Sequence, residues 1–204
     1  MSKNKMKKLR VNIFFISIFF FLSLYTSSIA NISSNFIDDI TQRASNILSS
    51  TDTREIKLQE LIKIGENSVD IDGIGFYTLG KHRKNLSDNQ KNEFRKIFRE
   101  YFLKSFSTRL VEYKEAKIVV ISEDIKNEKY TIVKSKLLAT SDRPEVNIDW
   151  RVYTKNPSKP LIRDLIIEGL SLARTQREEF NSIIMNNDGD INALFTSLKE
   201  FNNK

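Results

Sequence analysis

The sequence predicts an α+β fold in which helices pack on one face of a twisted four-stranded antiparallel sheet. Three observations predict it. Apolar residues recur every three or four positions as far as about residue 113, alternate with polar ones from about residue 115, and return to helical spacing near the end. The connections in the alternating stretch are short and turn-rich, Ser141-Asp142-Arg143-Pro144 and Asn156-Pro157-Ser158-Lys159-Pro160, which suits a meander.

The first helix carries Phe36, Ile37, Ile40, Ala44, Ile47 and Leu48 behind Ser33 or Ser34 as a cap. A second spans about 53–66 with Ile56, Leu61, Ile62 and Ile64, and Asp70 or Asp72 caps a short third that stops at Gly80. The longest helix opens with a capping box, Ser87 and Gln90. Phe94, Ile97, Phe98, Tyr101, Phe102, Phe106, Leu110 and Tyr113 then trace one stripe along it.

Strands follow at about 116–122, 129–138, 145–153 and 161–168. In the second, Lys134 and Lys136 mark the wet face, so Thr131, Val133, Ser135 and Leu137 point inward. In the third, Val146, Ile148, Trp150 and Val152 form the core face. Thr175 with Glu178 reads as the capping box of a helix bearing Phe180, Ile183 and Ile184. Asp190 caps a last helix with Ile191, Leu194, Phe195, Leu198 and Phe201. A cone-like sheet under a long aromatic helix can hold an apolar pocket between them.

Residues 1–30 read as a secretory signal peptide, leaving 31–204 as one domain. Lys3, Lys5, Lys7, Lys8 and Arg10 precede the apolar run Ile13–Leu24, which is shorter than the ~20 residues of a spanning helix. Ser28-Ile29-Ala30 then fits a small-residue cleavage site, the rival reading being an uncleaved anchor. The whole chain carries a formal +7, but residues 31–204 hold 28 basic against 26 acidic side chains, only +2. With no stripe of Lys and Arg interleaved with aromatics, a nucleic-acid partner is not expected.

Catalytic chemistry finds little support. The chain has no cysteine and one histidine, His82, set among Lys81, Arg83 and Lys84 as in a surface turn. Ligands clustered for a metal are not seen, and Asn186-Asn187-Asp188-Gly189-Asp190 lacks the glycine placement and closing Glu of a calcium loop. Gly73 and Gly75 follow no strand, so no phosphate cradle is implied. Asp149, Asp164 and Glu168 sit on expected strands, either as solvated or bracing charges or, less simply, as a pocket base.

Three segments together resemble the MlaC family, periplasmic phospholipid-binding proteins also known from toluene tolerance. The first runs from Tyr77-Thr78-Leu79-Gly80 through Ser87, Gln90, Phe94, Phe98 and Tyr101 to Tyr113. The second is Val146-Asn147-Ile148-Asp149-Trp150-Arg151. The third, the most specific, is Asp164 to Leu172 with Glu168-Gly169 and Ser171, followed by Thr175, Arg177, Glu179 and Phe180. Order and spacing agree from about Phe36 to Leu198. The chain departs from the pattern at His82 and Arg83, where the family has aromatics, and at Pro160-Leu161, where a tryptophan is common.

The resemblance implies a cone similar to the nuclear-transport-factor class, with both acyl tails buried and the headgroup exposed. It implies a periplasmic carrier that performs no chemistry and needs no cofactor. The carrier would move phospholipid between an outer-membrane lipoprotein complex and an inner-membrane ABC transporter containing MCE domains. On this reading the tails lie among Phe98, Phe102, Val133, Leu137, Ile148, Trp150, Val152, Leu165, Ile167 and Leu170. Two other readings stay open: a small isomerase or hydrolase on the same cone using Asp149 or Asp164, and a periplasmic adaptor with a solid core.

Overall fold

The computed structural model describes residues 32–113 and 116–204; the expected signal peptide lies outside the described residues. The elements are α1 (Ile32–Ser49), α2 (Arg54–Ser68), α3 (Ile71–Thr78), a 3-10 helix (Gly80–Asn85), α4 (Asp88–Leu110), β1 (Ile118–Asn127), β2 (Tyr130–Leu137), β3 (Val146–Tyr153), β4 (Leu161–Ile167), β5 (Leu170–Ser171), α5 (Leu172–Met185) and α6 (Ile191–Asn203). The strands form one antiparallel meander in the order β1-β2-β3-β4-β5.

Local chemistry sets most helix ends. Thr53 accepts from the Ile56 amide, and Asp70 accepts from the Gly73 amide at 3.0 Å. The Ser87–Gln90 box closes in both directions, the Gln90 amide donating to Ser87 Oγ at 3.3 Å and the Ser87 amide to Gln90 Oε1 at 3.0 Å. Asp190 holds the Asn192 amide at 2.9 Å. The segment Asn186–Asp190 is a helix-to-helix turn, with Asp188 and Gly189 at positive φ and the Gly189 amide donating to Ile184 O at 2.9 Å.

The start of α5 corrects the expected Thr175–Glu178 box. Ser171 is the cap, accepting from the Arg174 amide at 3.1 Å, and Thr175 lies inside the helix with its hydroxyl donating to Ser171 O at 3.1 Å. The cause is tertiary. Buried Asp164 on β4 accepts from the Ala173 amide at 3.0 Å and from Ser171 Oγ at 2.6 Å, satisfying a first-turn donor of a helix that starts one turn earlier than the local pattern suggested.

The sheet also has five strands rather than four. Glu168 (φ 47) and Gly169 (φ 81) form a two-residue turn with both φ positive, the geometry that reverses a tight hairpin. It folds Leu170 and Ser171 back onto Ile167 and Ile166.

Register decides which side chains face the helices. Val133 lies opposite Trp150, Ser135 opposite Ile148 and Leu137 opposite Val146; Trp150 in turn faces Leu165, and Ile148 faces Ile167. Register shifts occur between Val120 and Ser122 on β1 and beside Arg163 on β4. The second lets Ile162 and Leu165 share the inner face although two residues, Arg163 and Asp164, separate them. The core joins this face to Ile37, Ile64, Ile74, Phe94, Phe98, Phe180, Ile184 and Leu194 from the helices. Gly75 allows α3 to meet α4: a Cβ there would lie 2.7 Å from Phe98 Cδ1.

Candidate functional site

The inner face of the sheet and the aromatic stripe of α4 bound the apolar interior. Along α4, Phe94 and Phe98 stack at 5.5 Å, Phe98 meets Phe102 at 6.1 Å, and Phe102 stacks on Phe106 at 5.9 Å. Phe98 also receives the edge of Phe180 from α5 at 6.1 Å.

The residues read from the sequence as tail-contacting fall into three groups. Phe98, Val133, Ile148, Trp150 and Val152 are buried members of one core cluster. Phe102, Leu137 and Leu165 are half-buried and packed against it. Ile167 is half-buried on the inner face but outside that cluster, and Leu170 stands 69% exposed on β5. The expectation that Leu170 lines a buried pocket is therefore corrected: paired with Ile167 it shares that residue's face, but it lies on the two-residue edge strand β5, which leaves it in solvent.

Ile118 and Val120 on β1 join the half-buried group. They sit opposite Leu137 and Ser135, and alternation within β1 was the signal that marks them. Further along β1 the inner-face position opposite Thr131 is Ile125, which is exposed. The inner face thus passes from fully buried at Val133 and Val152 to accessible along β1 and the rim at Leu137.

One polar device lies within it. The Trp150 indole donates to Ser135 Oγ at 2.8 Å, and the Ser135 hydroxyl donates to Ile148 O at 3.1 Å. Every polar atom of this pair is satisfied, so the Trp150 ring can present its apolar surface without an orphaned donor.

The three acids singled out in the sequence do not line this apolar face. Asp164 is engaged by Ser171 and Ala173, Glu168 accepts from the Asn147 amide, and Asp149 lies opposite Lys134 and Ile166 on the other face. His82 sits on the 3-10 helix with Nε2 3.1 Å from Asn181 Oδ1. Among the described residues no group of three or more His, Cys, Asp or Glu could hold a metal, and no helix is long and apolar enough to cross a membrane.

A network that the sequence did not disclose flanks the other face. Arg163 donates from Nε to Asp70 and from Nη1 to the Tyr130 hydroxyl at 2.6 Å, and its guanidinium lies 3.8 Å from the Tyr153 ring centroid. Burial disfavours the cation, but the bonds to Asp70 and Tyr130 outweigh it and its pKa rises. A polar cleft of about 110 Å³ beside it is lined by Gly73, Ile74, Tyr77, Tyr130, Arg151 and Arg163 among others. That is less than the ~150 Å³ that holds a benzene, so two acyl chains do not fit there.

An α+β domain with a satisfied, apolar inner sheet face under a long aromatic helix defines the molecule as a helix-on-sheet fold. Residues 31–200 match the family model described as MlaC protein. The chain belongs to the MlaC family. No curated protein sequence matches it. Among solved structures it is similar to the phospholipid-binding protein from Ralstonia solanacearum in complex with a phospholipid, with a TM-score of 0.67 and 18% identity over 85% of this chain and 96% of that one. At that identity the likeness establishes a common fold.

Proposed function

We propose that residues 31–204 form a periplasmic phospholipid carrier, released by cleavage of the signal peptide after Ala30, that shuttles lipid between the outer and inner membranes. The acyl tails lie between α4 and the inner sheet face, against Phe102, Leu137 and Leu165 with Ile167 at the rim, over a packed floor of Phe98, Val133, Ile148, Trp150 and Val152. An outer-membrane lipoprotein complex and an inner-membrane ABC transporter with MCE domains are its partners on this reading.

The observation that carries the proposal is the gradation on that face, from buried Val133 and Val152 to half-buried Phe102, Leu137, Ile118 and Val120. It supplies one continuous apolar surface with an accessible edge. A carrier is needed because a two-chain lipid of roughly 30 methylenes, at ~0.8 kcal/mol each, resists free passage through water by 20 kcal/mol or more. Family membership and the phospholipid bound by the Ralstonia solanacearum protein support the same reading. Asp149 lies on the other face of the sheet, and Asp164, which lines the small polar cleft, has both oxygens engaged by Ser171 and Ala173, so neither favours the enzyme alternative.

Mass spectrometry of lipid co-purifying with the protein is the direct test. Intact diacyl phospholipid in near-stoichiometric amount is expected. Recovery of no lipid would overturn the proposal, and a lysolipid or other converted product would favour the enzyme.

A further inference from the structure

The 3-10 helix Gly80–Asn85 lies along α5 and builds a cationic ridge. Lys81, Arg83 and Lys84 are exposed on it, and His82 ties it to Asn181 of α5. Arg177, one turn before Asn181, comes so close that a Cβ on Gly80 would sit 2.8 Å from its Nε. Its guanidinium lies 5.4 Å from the Tyr77 ring centroid. Among the described residues, none of these four cations has an ion-pair partner. The nearest acid along α5, Glu178, is occupied by Arg174 at 3.1 Å.

The ridge also carries apolar area. Tyr77 is 38% exposed, and Met185, one turn beyond Asn181, is 52% exposed. Residues 31–204 carry only +2 in total, so four unpaired cations in one place make a local field rather than a general basicity.

We propose that this ridge is a docking surface for an anionic lipid bilayer, Lys81, Arg83, Lys84 and Arg177 meeting the phosphates while Tyr77 and Met185 enter the headgroup layer. Three features favour a bilayer over an acidic protein. The cations are long, flexible and spread along a convex turn rather than placed around a pocket. An amphipathic tyrosine and an exposed methionine accompany them, as at a membrane–water boundary. The cleft that Tyr77 lines beside the ridge measures about 110 Å³, too small to seat a peptide. The proposal does not require that the protein carries lipid, so the two can fail separately.

The test is co-sedimentation of the purified protein with vesicles of phosphatidylcholine alone and of phosphatidylcholine mixed with phosphatidylglycerol. Binding is expected only to the mixed vesicles, and to disappear near 1 M salt, where the Debye length falls to about 3 Å. The triple change Lys81→Glu, Arg83→Glu and Lys84→Glu should weaken it at least about tenfold, given the contribution of each near-surface cation. The same reversal at Lys129, Lys155 and Lys159, exposed lysines in the hairpin connections, alters net charge equally and should leave most binding intact. Co-purified lipid should be unchanged in both variants.

Equal binding to both vesicle types, insensitivity to salt, or equal loss in the two triple variants would overturn the proposal. So would binding to neither vesicle, the result expected if the ridge serves an acidic protein instead. The vesicle and salt comparisons use the unaltered protein and do not depend on any variant folding.

Discussion

Ser135 accepts the indole N–H of Trp150 at 2.8 Å from the diagonal position of the neighbouring strand, out of contact with solvent. Because the Ser135 hydroxyl is itself spent on Ile148 O, the three residues form a closed chain of bonds that fixes the largest ring on the inner face. Ser135→Ala should cost about 1–3 kcal/mol by stranding the indole donor. Adding Trp150→Phe to that variant should cost less than Trp150→Phe does in the native protein, since the orphaned donor goes with it. A double-mutant cycle in urea measures the difference; additive costs would show that the bond does not couple the two residues.

Glu123 on β1 accepts from both the Ser34 amide at 2.8 Å and the Ser34 hydroxyl at 2.7 Å, binding the first turn of α1 to the sheet. The carboxylate meets unpaired donors at the positive end of the helix. Glu123→Gln should cost about 1–2 kcal/mol, the range for a part-buried charged hydrogen bond. Amide exchange should rise chiefly in the first turns of α1, with β2 and β3 protected as before. Uniform loss of protection would mean that the contact supports the whole fold rather than one helix end.

Tyr101 adds a pH dependence of known sign. Burial, and after it the charge of Glu179, raise the pKa of its phenol, while Arg109 and the bond to Gln176 oppose the rise. The folded state therefore holds the proton longer than the unfolded chain does. The associated stability is complete below the ordinary phenol value near 10 and is lost as pH rises through the folded pKa. Near neutral pH, Tyr101→Phe should lose about 0.5–1.5 kcal/mol with the Gln176 bond. As pH climbs above about 10 the deficit should shrink, because only the native protein then has a phenol to ionise. Thermal melts of both proteins across that range test it, a constant gap being the contrary result.

Two substitutions on the inner face separate packing from ligand. Val152 is fully buried in the core cluster, so Val152→Phe should overpack and cost about 1–3 kcal/mol. Leu137 is half-buried at the rim, so Leu137→Trp should cost under about 1.5 kcal/mol while removing most co-purified lipid. Unchanged lipid in a stable Leu137→Trp protein would move the proposed tail site away from β2.

Much of the architecture was legible in the chain because it is written at short range. The Ser87–Gln90 box, the Asp190 cap and the stripe from Phe94 through Phe98 and Phe102 to Phe106 depend on residues three or four positions apart. The inward sets of β2 and β3 follow from alternation within each strand, which needs no partner to be read. Val133, Ile148, Trp150 and Val152 are accordingly buried in the core cluster, with Leu137 and Val146 packed against it.

What only the tertiary structure decided are the places where distant residues overrule the local pattern. Asp164 starts α5 early by taking the Ala173 amide, although Thr175 and Glu178 spell a good cap one turn later. A register shift beside Arg163 returns Leu165 and Ile167 to the face of Ile162, and no periodicity announces an extra residue in a ladder. Leu170, apolar and paired with Ile167, is exposed because a two-residue turn folds it into a short strand at the edge of the sheet. Arg163 finds Asp70 and Tyr130 across long stretches of chain. Helical and strand spacing express the conformation of neighbouring residues, whereas burial and pairing are set by which surfaces meet, and that is known only once the chain has folded back on itself.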